Sequence, residues 1–108
     1  MIKESKFQSD LIHELKETLP GCIVLKNDAN YIQGFPDLSV YYKDRYALLE
    51  CKRSDEASHR PNQDYYIQKV KSMGGFARFI HPGNKKEVLD ELQQTFGSDR
   101  PACISGSE

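Results

Sequence analysis

The chain reads as a mixed α/β domain, and three observations predict it. Apolar residues recur at helical spacing near both ends, in Phe7, Leu11, Leu15 and Leu19 and again in Val88, Leu89, Leu92 and Phe96. Three short strand-like runs follow one another between Gly21 and Lys52. One further helical stretch then separates the last of these runs from a fourth strand. The predicted order is α-β-β-β-α-β-α. Consecutive strands suggest an antiparallel meander, and a helix between two strands of one sheet predicts a right-handed crossover to a parallel neighbour.

The first helix is expected from Glu4 to Leu19, with Ile12 beside its apolar stripe and Pro20-Gly21 as its stop. Gly21-Cys22-Ile23-Val24-Leu25-Lys26 reads as a short apolar strand, and Asn27 to Gln33 as a polar loop carrying Tyr31. Two aromatic-rich runs around Lys43-Asp44 then suggest a hairpin, although this dipeptide lacks the glycine that two-residue turns favour. After a polar segment from Ser54 to Arg60, Pro61 sits where a first-turn proline is tolerated. Ile67, Val70 and Met73 mark the buried stripe of the helix it opens. Gly74-Gly75 ends that helix, Phe76 to Ile80 is a strand, and His81-Pro82-Gly83-Asn84 turns into the closing helix. Residues 1–97 are expected to form one domain and residues 98–108 a flexible tail.

Global properties fit a single small domain of 108 residues. No apolar run approaches the roughly 20 residues of a membrane span, and the start at Met1-Ile2-Lys3-Glu4 lacks the apolar run of a signal peptide. Cys22, Cys51 and Cys103 are widely spaced, and no Cys/His pattern for zinc is present. A cytoplasmic, reducing setting is expected. The formal net charge of −1 shows none of the basic bias common in nucleic-acid binders. Basic residues nevertheless cluster locally as Lys52, Arg53, His59, Arg60, Lys69 and Lys71, with Lys26 and Arg78 on strands expected nearby. Arg53 and Arg60 are the candidates for phosphate contact. Lys69 and Lys71 fit a solvated helix face better. His59 suits a general acid, although a lone loop histidine is more often inert.

Chemistry concentrates between Gly34 and Lys52. A hairpin about Lys43-Asp44 sets Tyr42 opposite Arg45 and, stepping outward, Asp37 opposite Glu50. Directly opposed side chains have Cβ atoms about 5 Å apart, and like charges there repel. Lys52 lies two residues beyond Glu50, on the same face of the pleat. In a plain alternative these are solvent-facing residues joined by an ordinary ion pair. Against it stand Phe35, Leu38, Val40, Leu48 and Leu49, which make both strands apolar on both faces and therefore covered on both sides. A divalent cation between the carboxylates turns repulsion into chelation, and Lys52 at the edge can position a water or stabilise developing charge. The layout suits metal-assisted hydrolysis of a phosphodiester.

Gly34-Phe35-Pro36-Asp37-Leu38 followed by Glu50-Cys51-Lys52 resembles the signature of the PD-(D/E)-x-K nuclease superfamily. Within it the chain is most similar to small phage-type nucleases of the virus-type replication-repair group, relatives of Holliday-junction resolvases. The likeness runs from about Glu4 to Phe96. It implies a restriction-endonuclease-like α-β-β-β-α-β core with a closing C-terminal helix. It also implies Mg²⁺, with Mn²⁺ as a substitute, and DNA as the partner, including branched DNA. Asp37 and Glu50 become metal ligands, the Cys51 carbonyl a third, and Lys52 the catalytic lysine. Gln63 matches a glutamine that relatives carry after the lysine, where it orients the nucleophile or the metal shell; a solvent-exposed helix-start glutamine is the plain alternative. Glu4 matches a first-helix acid that serves as a further ligand, although acids are favoured in any first turn by the helix dipole.

The leading expectation is therefore a Mg²⁺-dependent DNA endonuclease, acting as a homodimer because paired nicks need two sites and this chain carries one. A phage-infected or bacterial cell is the setting the resemblance implies. The alternatives are a catalytically idle nucleic-acid-binding module on the same fold, and a structural subunit that uses Tyr31, Tyr41, Tyr65 and Tyr66 as an exposed interaction surface.

Overall fold

The structure, a computed structural model, describes residues 3–96. Its elements are α1 (Glu4–Thr18), β1 (Ile23–Lys26), β2 (Leu38–Tyr42), β3 (Arg45–Cys51), α2 (Pro61–Ser72), β4 (Phe76–Ile80) and α3 (Lys85–Phe96), in the predicted order. The strands form one four-stranded sheet in the order β1-β2-β3-β4. β1, β2 and β3 pair antiparallel, and β4 lies parallel to β3. Among the described residues no helix is long and apolar enough to cross a membrane.

Each helix sits where its apolar stripe dictates. Phe7, Leu11 and Leu15 of α1 and Val88, Leu92 and Phe96 of α3 are buried together on one face of the sheet, against Leu38, Val40, Ala47 and Leu49. The shorter stripe of α2, Ile67 and Val70, packs on the other face against Leu48 and Ala77. β3 is therefore covered on both sides, which is why its apolar residues run nearly without interruption. Full burial of a Leu or Ile side chain stabilises by about 1.5–3 kcal/mol, so these two clusters hold the sheet in a fixed position between the helices.

The hairpin register is the one the sequence implies: Tyr42 pairs with Arg45 and Leu38 with Leu49, with no bulge between them. Lys43 takes the positive φ of 57° that glycine usually supplies, and no other non-glycine residue described does so. Some expectations change. Met73 is 64% exposed because α2 ends at Ser72 and Gly74, at φ 86°, turns the chain away from the core. Tyr66 is half-buried rather than exposed, with its ring edge-on to Phe35 at 5.3 Å. Tyr31, Tyr41 and Tyr65 are exposed as expected. β1 starts at Ile23, because Cys22 is still held in the turn after α1 by the carbonyl of Leu19. The segment expected as a tail, and Cys103 with it, lies outside the described residues.

The loop between β1 and β2 is tied at both ends. The Asn27 N–H donates to the Asp37 carbonyl at 2.8 Å, and its side-chain amide donates to the Pro36 carbonyl and to Ser39 Oγ. At its far end Gly34 (φ 86°) lies against the start of α2, so that a Cβ there would fall 2.3 Å from the Cβ of Asn62. Gly74 has the same φ but open space around it. Gly34→Ala is therefore expected to lower stability by roughly 2–4 kcal/mol in urea unfolding, strain and overpacking combined. Gly74→Ala, which carries the backbone strain alone, should cost about 1 kcal/mol. Equal losses in the two variants would mean that the loop does not press on α2.

Candidate active site

The continuous register of β2 and β3, carried one step past Leu38 and Leu49, sets Asp37 against Glu50 at the open end of the hairpin. Both carboxylates lie on the α2 side of the sheet. Glu50 alternates with Leu49, which faces α1 and α3, and Phe79, its neighbour on β4, packs with the α2 cluster. Glu50 is only 3% exposed, whereas Asp37 is half-buried. One Asp37 oxygen, Oδ2, accepts the backbone N–H of Cys51 at 2.9 Å, so Asp37 is fastened to the strand that carries its neighbour.

Burial, followed by the charge of Asp37, pushes the Glu50 carboxyl up from 4.5 to about 8, while the Lys52 ammonium opposes the shift. A hydrogen bond to Asp37, which Glu50 donates only when protonated, and the charge of Glu4 add to the rise. Without a cation, then, one proton sits between two carboxylates. Such a pair is unfavourable packing unless something positive joins it.

Lys52 is 8% exposed and follows β3 on the same face as Glu50. Its Nζ donates to Gln63 Oε1 at 2.7 Å and to the Ser58 carbonyl at 3.1 Å, and stands 3.9 Å from Glu50 Oε2. Gln63 in turn donates from Nε2 to Glu50 Oε2 at 3.0 Å, while its Oε1 also accepts the backbone N–H of Arg60. The side-chain amide thus bridges lysine and glutamate and closes the first turn of α2 at the same time. Pro61 and the proximity of α2 to the β3 end make this geometry available.

The structure brings together Asp37, Glu50, Lys52 and Gln63. The Cys51 N–H points to Asp37, and in an extended strand the carbonyl of the same residue shares that side. Glu4 lies exposed in the first turn of α1 and acts on Glu50 through its charge. Among the described residues no group of three His, Cys, Asp or Glu side chains is placed to hold a metal ion. Two carboxylates with a backbone carbonyl are nonetheless a donor set that fits Mg²⁺, which keeps several waters and seldom uses an all-protein cage. The Cys51 thiol is no nucleophile: burial, then the charge of Asp37, pushes it up to about 12.

Arg53 and Arg60 are exposed on the segment between β3 and α2, beside Lys52. Arg78 is not near the carboxylates. It sits on the α3 face of β4 and pairs with Glu91, because residue alternation turns it away from Phe79 and Glu50. Sequence reasoning passed over three supports of the site. Asn27 braces the Asp37 segment, the Ser58 carbonyl anchors Lys52, and Gln8 of α1 hydrogen-bonds the buried Cys51 side chain. Only Gln8 carried a signal, since it borders the buried stripe of α1.

No family model and no curated protein sequence matches the chain. Among solved structures it is similar to a VRR_NUC domain, with 23% sequence identity and a TM-score of 0.68, over 89% of this chain and 99% of that one. The likeness shows the fold. The mixed four-stranded sheet and its three helices are a restriction-endonuclease-like fold, shared with that domain.

The raised Glu50 pKa has a measurable sign. The folded state favours the proton, so in EDTA this contribution to stability is fully present below about pH 4.5 and is lost as pH rises through about 8. Glu50→Gln should remove that part of the pH dependence and be more stable than the parent near pH 9 in urea unfolding. The same sign predicts that Mg²⁺ binding near neutral pH releases about one proton, visible in calorimetry as a heat that varies with the buffer. Identical pH profiles for parent and variant would place the Glu50 pKa in the ordinary range.

Proposed function

We propose that this chain is a divalent-metal-dependent DNA endonuclease that hydrolyses phosphodiester bonds. The observation that carries the reading is the pairing of Asp37 with a buried Glu50, beside a lysine fixed by Gln63. Two acids facing each other serve no evident packing purpose, and a pure DNA-binding surface has no use for carboxylates aimed at phosphate.

In this reading Asp37, Glu50 and the Cys51 carbonyl hold Mg²⁺, with Mn²⁺ as a substitute. The bound cation supplies neutralisation of phosphate charge and a water of lowered pKa. The protein's own part lies in placement. Glu50 gives up its proton when the cation enters, and the N–H from Gln63 keeps Oε2 oriented. Of the three N–H donors on Lys52, Gln63 and Ser58 engage two, and the remaining one faces charge developing on the phosphate or aligns the attacking water. Attack in line leaves 5′-phosphate and 3′-hydroxyl ends. Branched DNA and a homodimeric enzyme belong to the same proposal, since opposed nicks need two such sites.

The test is cleavage of labelled duplex, single-stranded and four-way-junction DNA in Mg²⁺, Mn²⁺ or EDTA. Asp37→Asn should reduce cleavage to background while DNA binding persists, because asparagine keeps an oxygen for the Cys51 N–H. Lys52→Met should slow turnover by about 10²–10³-fold, and Gln63→Ala by roughly 10–100-fold. Wild-type rates in Asp37→Asn would remove the carboxylate pair from the chemistry. Metal-independent binding with no cleavage would leave a catalytically idle module.

A further inference from the structure

His59 lies in the irregular segment between β3 and α2, yet two contacts of its own and one of the preceding residue fix its position. Its ring stacks on Phe79 with centroids 3.9 Å apart and planes 14° from parallel. Its Nδ1 is 3.1 Å from Asp64 Oδ1 on α2. The residue before it, Ser58, gives its carbonyl to Lys52 Nζ. Phe79 is the β4 residue in register with Glu50, so the imidazole covers the strand next to the carboxylate. A surface histidine with no task would not be expected to be held in so many ways, since each contact costs conformational entropy.

These contacts determine which nitrogen is free. An ionised Asp64 can only accept, so Nδ1 carries the proton of that hydrogen bond. Nε2 has no partner among the described residues. The segment is tied to the site through Lys52, which lies between it and Glu50, so the imidazole stands one step out from the carboxylates along the face. The charged groups around it are Asp64 from α2, Lys52 across the Ser58 carbonyl and Arg60 next in the chain. With Asp64 on one nitrogen, a phosphate oxygen at the other would set the ring between two acceptors.

We propose that His59, oriented by Asp64 and supported by Phe79, binds a DNA phosphate next to the scissile one on the same strand. This rests on the nuclease reading of Asp37, Glu50 and Lys52 and supplies a contact that positions the substrate. The role is one of binding: His59 meets a phosphate that does not react, so its loss acts on KM rather than on kcat.

The experiment is single-turnover cleavage of DNA in which each phosphate flanking the cut is replaced in turn by an uncharged methylphosphonate. The parent is compared with His59→Ala, His59→Phe and Asp64→Asn. His59→Phe keeps a ring on Phe79 and so controls for loss of the fold. On ordinary DNA both His59 variants should raise KM about tenfold, the loss of one exposed charge-assisted contact, with kcat little changed. Asp64→Asn should give a smaller rise. At one flanking phosphate, methylphosphonate should weaken the parent by a similar factor and add nothing in the His59 variants. Penalties that multiply at every phosphate would make His59 a structural residue and overturn the proposal, as would a His59→Phe protein equal to the parent. In either case the nuclease reading stands if the parent cuts. A parent that cuts no DNA overturns both.

Discussion

The arrangement depends on one electrostatic constraint: two carboxylates, Asp37 and Glu50, are held side by side at the end of a hairpin whose register they cannot leave. A slip of one residue would turn every side chain of the strand to the other face and set the residues that fit α1 and α3 against α2 instead. Leu38, Val40, Ala47 and Leu49 are all fully buried, so the core fixes the register and the register fixes the acids. Repulsion between the acids is thus sustained by hydrophobic burial elsewhere in the sheet. Burial first and the charge of Asp37 second favour the proton on Glu50.

Everything placed around the pair either relieves it or keeps it in position. Gln63 and Lys52 form a short network with Glu50 in which the Gln63 amide bridges the other two side chains. A half-satisfied network in a buried place would be worse than none, and the start of α2 is what completes it. α2 is in turn held against the loop before β2 by the close approach of Gly34 to Asn62. That loop carries Asp37 at its end, anchored by Asn27. Loop, hairpin and helix therefore form a closed circuit around the site, and a disturbance in any one of them reaches the carboxylates.

Much of this was legible in the sequence, and the reasons are physical. The helices α1 and α3 follow from strong apolar periodicity, and the pairing of Asp37 with Glu50 follows from counting outward from a two-residue turn. That count worked although Lys43-Asp44 lacks glycine, because burial on both faces of β3 constrains the register more firmly than turn chemistry does. Gln63 was legible through the resemblance, as the glutamine that follows the lysine. The failures have equally definite causes. Met73 continues the α2 stripe on paper, but a positive-φ glycine ends the helix before the stripe reaches it. Arg78 looked close to the site because strands are neighbours, and alternation put it on the other face. Backbone partners such as the Ser58 carbonyl leave no mark on a sequence, since every residue has one.

The charge balance also takes on a different meaning once the site is described. A net charge of −1 argues against strong nonspecific attraction to DNA. The count treats Glu50 as ionised, however, and in the folded, cation-free protein it is largely protonated at neutral pH. In the proposed nuclease reading, the negative charge that would repel a phosphate is thus partly withheld until a cation balances it. In that reading cation and phosphate support each other: the cation offsets the two acids, Lys52 beside them leaves one positive charge, and a phosphate would supply the anion that such a centre lacks. By linkage each strengthens the binding of the other by the same factor. A strongly basic surface would bind DNA whether or not the site was loaded. In the proposed nuclease reading, a near-neutral protein with such an acid pair holds DNA more strongly when the site is occupied.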